Sequence, residues 1–447
     1  MTSFRFHAAG ALASACLLAG APAAAQTPGA PPSTDAQRPV ATVPDAAAPI
    51  TAVPPRAGIV PPSYTLVQLL ELARTQSPAF AAARARIAGA QAGLTTAAAR
   101  PNPELDLQAG RHAGSGTTPS GASTSLGVLQ ALERTSLREA RRGVAVAGLD
   151  AARAEAGGFE RDRIADLTLR FHDVLRQQAA ARLAEEDLSI AEQIRARVQV
   201  RVGTGEAPRF ELIRANAERL NAQRAVQAAA ARIDVARTEL RRLVGPALPA
   251  DFAVAGSIED PVAPVAPIEV LRATMIDLHP DLLAARAAVR NAEARLALER
   301  ERARPSFAVR GTVERVPEVV DARLGLVVQL PVFDRREGPI AEALADAERA
   351  RADLAERELA LGQALEAAAQ RFRIAREQVA AYESGLLREA EAALRVAEAA
   401  YRFGERGILD YLDAQRTLRT LRIELNATRY DLRAARVELE RLGARSE

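Results

Sequence analysis

The side chains best placed to do chemistry are carboxylates. Asp410 and Asp413 stand three residues apart in Leu409-Asp410-Tyr411-Leu412-Asp413-Ala414. On a helix they share one face, and two carboxylates side by side there favour cations. The same spacing also suits an ordinary solvated helix face, and the residues alone leave both readings open. The positions 199 residues earlier carry Glu211 and Arg214, so the pattern occurs once per chain. Nothing points to catalysis. The histidines, His7, His112, His172 and His279, lie far apart without metal-ligand spacing, and there is no glycine-rich phosphate loop. Neither a metal centre nor a cofactor is called for, and the chain reads as a non-enzyme.

The N-terminus has the three-part layout of a secretory signal: a basic stretch at Arg5 and His7, an apolar run from Ala8 to Leu18, and Ala23-Ala24-Ala25 before Gln26. Cleavage is expected after Ala25, giving a signal peptide over 1–25. The only cysteine, Cys16, falls inside it; the alternative is that Cys16 is lipidated, although Ala13 fits that pattern poorly. Without Cys16 the mature chain has neither disulfides nor thiolate sites. No later stretch approaches the roughly 20 uninterrupted apolar residues of a spanning helix, so any membrane part must be made of strands. The net charge is +3, the basic residues are all arginine, and acidic residues are interleaved with them almost one for one. With aromatic residues at only 4% and no basic stripe, nucleic-acid binding is excluded.

Residues 26–63 form a Pro/Ala-rich leader with pairs at Pro31-Pro32, Pro54-Pro55 and Pro61-Pro62. Beyond it the chain repeats. Ser77-Pro78, Ala82-Ala83-Arg84 and Leu94 return 202 residues later as His279-Pro280, Ala284-Ala285-Arg286 and Leu296. Further on the offset is 199, with Gly205-Glu206 matching Gly404-Glu405. The first unit spans 64–244, a Pro-rich linker 245–267, and the second unit 268–447. Each reads as one helix (about 65–99 and 268–302), two strands, then two long helices. The strands are signalled by period-two stretches. Leu105, Leu107 and Ala109 alternate with Asp106, Gln108 and Gly110; Phe307, Val309 and Val313 alternate with Ala308, Arg310 and Glu314. Return strands fall at about 123–130 and 322–330. The helices after them, about 137–201 and 337–402, would each approach about 100 Å at 1.5 Å per residue. Each breaks at glycine, Val202-Gly203-Thr204-Gly205 or Phe403-Gly404-Glu405-Arg406-Gly407, before a shorter helix returns. On the returns Leu418, Leu425, Leu432 and Leu439 fall at sevens, as do Val226, Ile233 and Leu240, the period of left-handed coiled coils.

Four strands of about ten residues with one apolar face suit a spanning β-barrel, but four cannot close around a lumen, and open edges are not tolerated in lipid. The chain must therefore oligomerise. The wetted face would carry Asp106, Gln108, Arg310, Glu314, Arg323 and Gln329. One feature sits poorly with a barrel: with no Trp and few Tyr or Phe, the usual interfacial aromatic girdle is thin.

The doubled unit, the passage Gln329-Leu330-Pro331-Val332-Phe333-Asp334-Arg335 and the hairpin from Tyr401 to Ala414 resemble the TolC-type outer-membrane factor family, most closely its heavy-metal efflux branch. The likeness covers about 64–443. It implies a mainly α fold with a transmembrane β part, in which three copies build a 12-stranded barrel in the outer membrane of a Gram-negative cell and a helical barrel across the periplasm. It also implies docking to a periplasmic membrane-fusion adaptor and an inner-membrane resistance-nodulation-division pump, for which the chain is a passive exit duct. By the same resemblance Tyr401, Arg406, Asp410 and Asp413 narrow the periplasmic mouth, and the tips Val202, Gly203, Thr204, Gly205, Phe403, Gly404, Glu405 and Gly407 meet the adaptor. Divalent metal ions are the expected cargo; drugs, secreted polypeptide, or a soluble coiled-coil scaffold without a channel are the alternatives.

Overall fold

The computed structural model of the chain describes residues 62–113 and 120–443. The expected signal peptide, Cys16 and nearly all of the leader lie outside them.

The helix expected over 65–99 is two: α1 (Leu66–Gln76) and α2 (Pro78–Ala98). Its counterpart is likewise α5 (Ile268–Leu278) and α6 (Pro280–Arg302). Proline causes both breaks. It lacks an N–H and forces the preceding residue out of the helical region, so Ser77 (ψ 128°) and His279 (ψ 122°) are extended and each proline opens the next helix.

The strands are β2 (Glu104–His112), β3 (Gly121–Leu132), β5 (Ser306–Val316) and β6 (Val319–Gln329), forming one antiparallel sheet in the order β2-β3-β5-β6. Its register aligns Leu107, Leu126, Val313 and Ala322 across one face, and Leu105, Val128, Gly311 and Leu324 beside them. Because side chains alternate, the other face collects Asp106, Gln108, Arg310, Glu314, Arg323 and Gln329. Within one chain the apolar face is open: Leu107 and Leu324 are both exposed. So are the edges β2 and β6, each paired on one side only.

Arg134 and Arg336 precede the long helices and turn the strands into them. Both reach back to the end of α6: Arg134 to Glu301 at 3.2 Å, and Arg336, itself left-handed at φ 58°, to Glu299 at 3.0 Å. Burial pushes the Glu299 carboxyl up, but hydrogen bonds from Arg336 and Arg302 outweigh it and hold the group below its usual range.

The first long helix, α3 (Thr135–Gly203), runs 69 residues without a break, and α4 (Arg209–Val244) returns against it. The second is interrupted. α7 (Glu337–Ala381) gives way to a π turn at Tyr382–Leu386 before α8 (Leu387–Arg402), and α9 (Ile408–Leu442) returns. From Glu337 to Arg402 is three residues fewer than α3. Three residues fall short of a full helical turn by about 60°, and the wider π turn takes back an angle of that order. Downstream, Ala390 and Tyr401 are buried as a result.

On α9, Leu418, Leu425, Leu432 and Leu439 are all buried, as the sevens require. On α4 the register is kept, but the fully buried line is a different one. Val226 and Ile233 are half-buried, and Ala215, Ala222, Ala229 and Ala236 are buried instead, with Leu240 and Leu243 closing the seam. Residues 245–267 also do more than link. Gly245 (φ 111°) turns the chain, and Ala253–Val254 (β4) pairs in parallel with Ser63–Tyr64 (β1). Leu248, Phe252, Val254 and Ile258 then pack into a core with Leu69, Leu167, Phe171 and Leu240. Among the described residues no helix is long and apolar enough to cross a membrane.

Candidate functional site

The two hairpin tips are built alike. Gly205 (φ 80°) and Gly404 (φ 77°) adopt the left-handed backbone that glycine accepts without strain. The amides of Glu206 and Glu405 close the turns on the carbonyls of Arg201 and Ala400, each at 2.9 Å. Gly203, Thr204, Phe403, Glu405 and Gly407 are exposed with them, Val202 is half-buried, and the Phe403 ring is 80% exposed. The exposed apolar surface at the tips is wider than the glycine breaks suggested, because Val200, Phe210, Ile213 and Leu409 are exposed too.

Asp410 and Asp413 lie in the first two turns of α9, and both are exposed on its surface. The N-terminus of a helix favours a carboxylate there. Arg406, just before the helix, comes within 3.7 Å of Asp410. Exposed pairs of this kind contribute about 0.2–1 kcal/mol, so the contact orients Asp410 more than it stabilises the fold. The Asp413 carboxylate has no ion pair or hydrogen bond among the described residues.

Tyr401 sits apart from these three. It is 5% exposed, and its hydroxyl donates to Glu211 of the first hairpin at 3.2 Å. Its ring stacks on Tyr411, with centroids 6.0 Å apart and planes at 15°, while the Arg201 guanidinium lies 4.7 Å from the ring on the first-hairpin side. Burial and the Glu211 carboxylate both push the Tyr401 hydroxyl above its ordinary range, so it remains a proton donor. Within one chain, then, Arg406 and Asp410 meet, while Tyr401 ties the second hairpin to the first. Ion pairs continue that seam: Arg197 with Glu398 at 2.8 Å, Arg422 with Glu186 at 3.7 Å, and Arg416 with Glu218. Sequence periodicity could not find these pairs, because residues such as Arg197 and Glu398 are 201 positions apart. The repeat offset did flag Glu211 as the odd counterpart of Asp410.

On the polar face of the sheet, Gln108 donates to Asp106 at 2.9 Å, and Arg323 approaches Asp321 at 3.0 Å and Glu314 at 3.8 Å. Ser306 donates to Gln329 at 3.2 Å. Among the described residues, no group of three or more His, Cys, Asp or Glu could hold a metal ion. His279 is buried and His172 half-buried, each away from the other. Burial, reinforced by nearby arginines, lowers each to about 4, so both are neutral near pH 7. His279 uses its Nδ1 to accept from the Asp281 amide and cap α6.

The chain is similar to known proteins in both sequence and fold. It is 27% identical over 361 residues to the cobalt-zinc-cadmium resistance protein CzcC of Cupriavidus metallidurans, covering 80% of this chain and 85% of that protein. Its fold matches the outer-membrane channel OprN with a TM-score of 0.73 at 18% identity, over 85% of this chain and 89% of the other. It matches the outer-membrane protein VceC of Vibrio cholerae with a TM-score of 0.71 at 20% identity, over 85% and 96% of the two chains. The model of the outer membrane efflux protein family matches residues 69–246 and 272–444, one match per repeat, taking in both hairpins and the whole sheet. An outer-membrane efflux channel with a large periplasmic helical part, and not an enzyme, is what this architecture makes, and the chain belongs to the outer membrane efflux protein family.

Proposed function

We propose that three copies of this chain form the exit duct of a pump exporting divalent heavy-metal cations, with the periplasmic mouth set by the second hairpin. The observation that carries this reading is the pair of exposed carboxylates, Asp410 and Asp413, on one face of α9 beside the tip turn. Repeated around an axis, they make a mouth that attracts cations and repels anions. The likeness to the cobalt-zinc-cadmium resistance protein supports the same class of cargo.

The oligomer follows from the sheet. Two open edges and an open apolar face cannot rest in lipid, and pairing β6 of one copy with β2 of the next removes every edge. The polar face, with Asp106, Gln108, Arg310, Glu314, Arg323 and Gln329, then lines the lumen. Arg406 restrains Asp410, and Tyr401 holds the second hairpin on Glu211, so loosening these contacts widens the mouth. The tips, with Val202 to Gly205 on one hairpin and Phe403 to Gly407 on the other, dock to a periplasmic adaptor. An inner-membrane pump supplies the energy, since a duct without catalytic groups supplies none.

The test is growth of a channel-deleted strain in graded zinc, cobalt and cadmium. Expression of the wild-type chain restores tolerance to at least one of these metals, and Asp410→Asn/Asp413→Asn restores less of it at equal outer-membrane abundance. Restored drug tolerance with unchanged metal tolerance would overturn the cargo assignment.

A further inference from the structure

We infer that Arg111 and Arg315 form a binding site, on the outer rim of the barrel, for the phosphorylated headgroup of the outer-leaflet glycolipid. The inference rests on the sheet's apolar face being the lipid face. Strand register assigns each side chain to one face or the other. The apolar face starts at the helix-bearing end with Leu132, Phe307 and Val328 in one row and continues up to Leu126, Val313 and Ala322. The next row holds Arg315 between Thr124 and Val320, and the last holds Arg111 beside Ala122. Every carboxylate of the four strands, at Glu104, Asp106, Glu314 and Asp321, lies on the opposite face, and so do Arg310 and Arg323. Charge therefore appears on the lipid face only at the turn end of the sheet, and there it is positive. Because the helices leave from the other end, the turn end is the outer one.

From Phe307 to Arg315 the strand rises about 27 Å, which a tilt of about 40° turns into about 20 Å of depth, so the arginines stand where a barrel's apolar band ends. A guanidinium on this face is costly at the bilayer centre and nearly free at its surface. Both side chains are exposed, and neither makes a hydrogen bond or ion pair among the described residues. Arg323 on the polar face, by contrast, is held by Asp321 and Glu314. Only β3 separates the strands of Arg111 and Arg315, a gap of about 10 Å, and each guanidinium can present two parallel N–H groups to a phosphate. Two such forks side by side suit a headgroup with more than one phosphate, which is the chemistry of the phosphorylated disaccharide lipid in the outer leaflet of such a membrane. Aromatic rings do not mark this boundary: Phe, Tyr or Trp occurs once in the four strands, as Phe307 at the periplasmic end. Positive charge takes their place.

The test is binding of lipopolysaccharide to the full-length channel in detergent micelles, measured by thermophoresis for wild type and Arg111→Gln/Arg315→Gln. The double variant is expected to bind about ten-fold more weakly. On the wild-type protein, lipopolysaccharide stripped of its headgroup phosphates should lose affinity to the same degree, and phosphatidylglycerol should bind less tightly than the intact glycolipid. Equal affinity of the two proteins, or of intact and dephosphorylated lipid for wild type, would overturn the site. Phosphatidylglycerol binding as tightly as lipopolysaccharide would overturn the assignment to the glycolipid. The chain contains no tryptophan, so Leu324→Trp reads the lipid face separately, through quenching by brominated acyl chains in vesicles. Quenching there, with lipopolysaccharide binding unchanged in the double variant, would overturn the site and leave the lipid face standing. No quenching would overturn both.

Discussion

In the first hairpin the buried line of the return helix is alanine, at Ala215, Ala222, Ala229 and Ala236; in the second it is leucine, at Leu418, Leu425, Leu432 and Leu439. The two lines are different positions of the repeat, since 199 residues on from Ala215, Ala222, Ala229 and Ala236 stand Ala414, Leu421, Thr428 and Ala435. Alanine lets α4 lie close against α3, and the two make a short-range, tightly meshed pair. Leucine fills the wider groove in which α9 touches both α7 and α3, where buried Asn426 also donates to the Arg176 carbonyl of α3 at 3.1 Å. The outgoing helices differ in the same sense, for α3 is unbroken and its counterpart carries the π turn. A unit duplicated in sequence has thus become one hairpin with an unbroken outgoing helix and one whose outgoing helix carries a π turn. The Asp410 and Asp413 face belongs to the second.

The strongest way to break this comparison is to remove the π turn. Deleting Gly385, whose position is open and unpacked, turns the π turn into an ordinary α turn and leaves α8 near its present register, whereas deleting one residue midway along unbroken α3 rotates everything beyond it by about 100°. The α3 deletion takes Arg201 and the first tip away from Tyr401, and its expected outcome is loss of assembled channel from the outer-membrane fraction on native gels. The Gly385 deletion should be far better tolerated, and equal loss with both would show that the π turn absorbs no residue. Next, Leu425→Ala should lower stability by about 2–5 kcal/mol through the cavity it leaves. Ala222→Leu should lower it by about 1–3 kcal/mol through overpacking. Denaturant melts of the two variants measure both, and a stability unchanged by either would show that neither line is packed as described.

A smaller effect is expected at the tie between the hairpins. Tyr401→Phe removes one hydrogen bond and should cost about 1 kcal/mol. In planar bilayers it should lengthen the open periods, because Glu211 no longer holds the second tip. The Tyr401 hydroxyl lies above its ordinary range, so the wild-type tie should not weaken between neutral and mildly alkaline pH.

The buried histidines bear on both repeats equally. His172 and His279 are lowered from 6.5 to about 4 in the folded chain, so as pH falls the unfolded chain takes up their protons first. Stability is therefore complete above about 6.5 and is lost as pH falls toward 4, with each histidine contributing a slope of up to about 1.4 kcal/mol per pH unit. His279→Asn keeps a capping side chain on α6 and should remove its share of that loss in thermal melts across the range.

The long helices, the four strands and the sevens could all be read from the sequence, because each is a periodic pattern carried by neighbouring residues. The breaks at Pro78 and Pro280 are less plain, because the apolar period runs on through each proline and reads as one helix. The π turn has no local signature. Its only trace is the change of repeat offset from 202 to 199, which fixes a length difference without saying where it is absorbed. At the tips, Asp410, Asp413 and the glycines were readable from spacing. The placement of Tyr401 was not, because its partner Glu211 lies 190 residues away and only packing brings the two together. The core formed by Leu248, Phe252, Val254 and Ile258 escaped for the same reason, hidden in a proline-rich composition.

The measurement that bears most directly on the second hairpin as the mouth of the duct is single-channel recording in planar bilayers under a salt gradient, comparing wild type with Asp410→Ala/Asp413→Ala. Cation preference that falls in the double variant, with a changed unitary conductance, is the predicted result. Identical reversal potential and conductance in the two proteins would contradict it and place the selective constriction elsewhere in the channel.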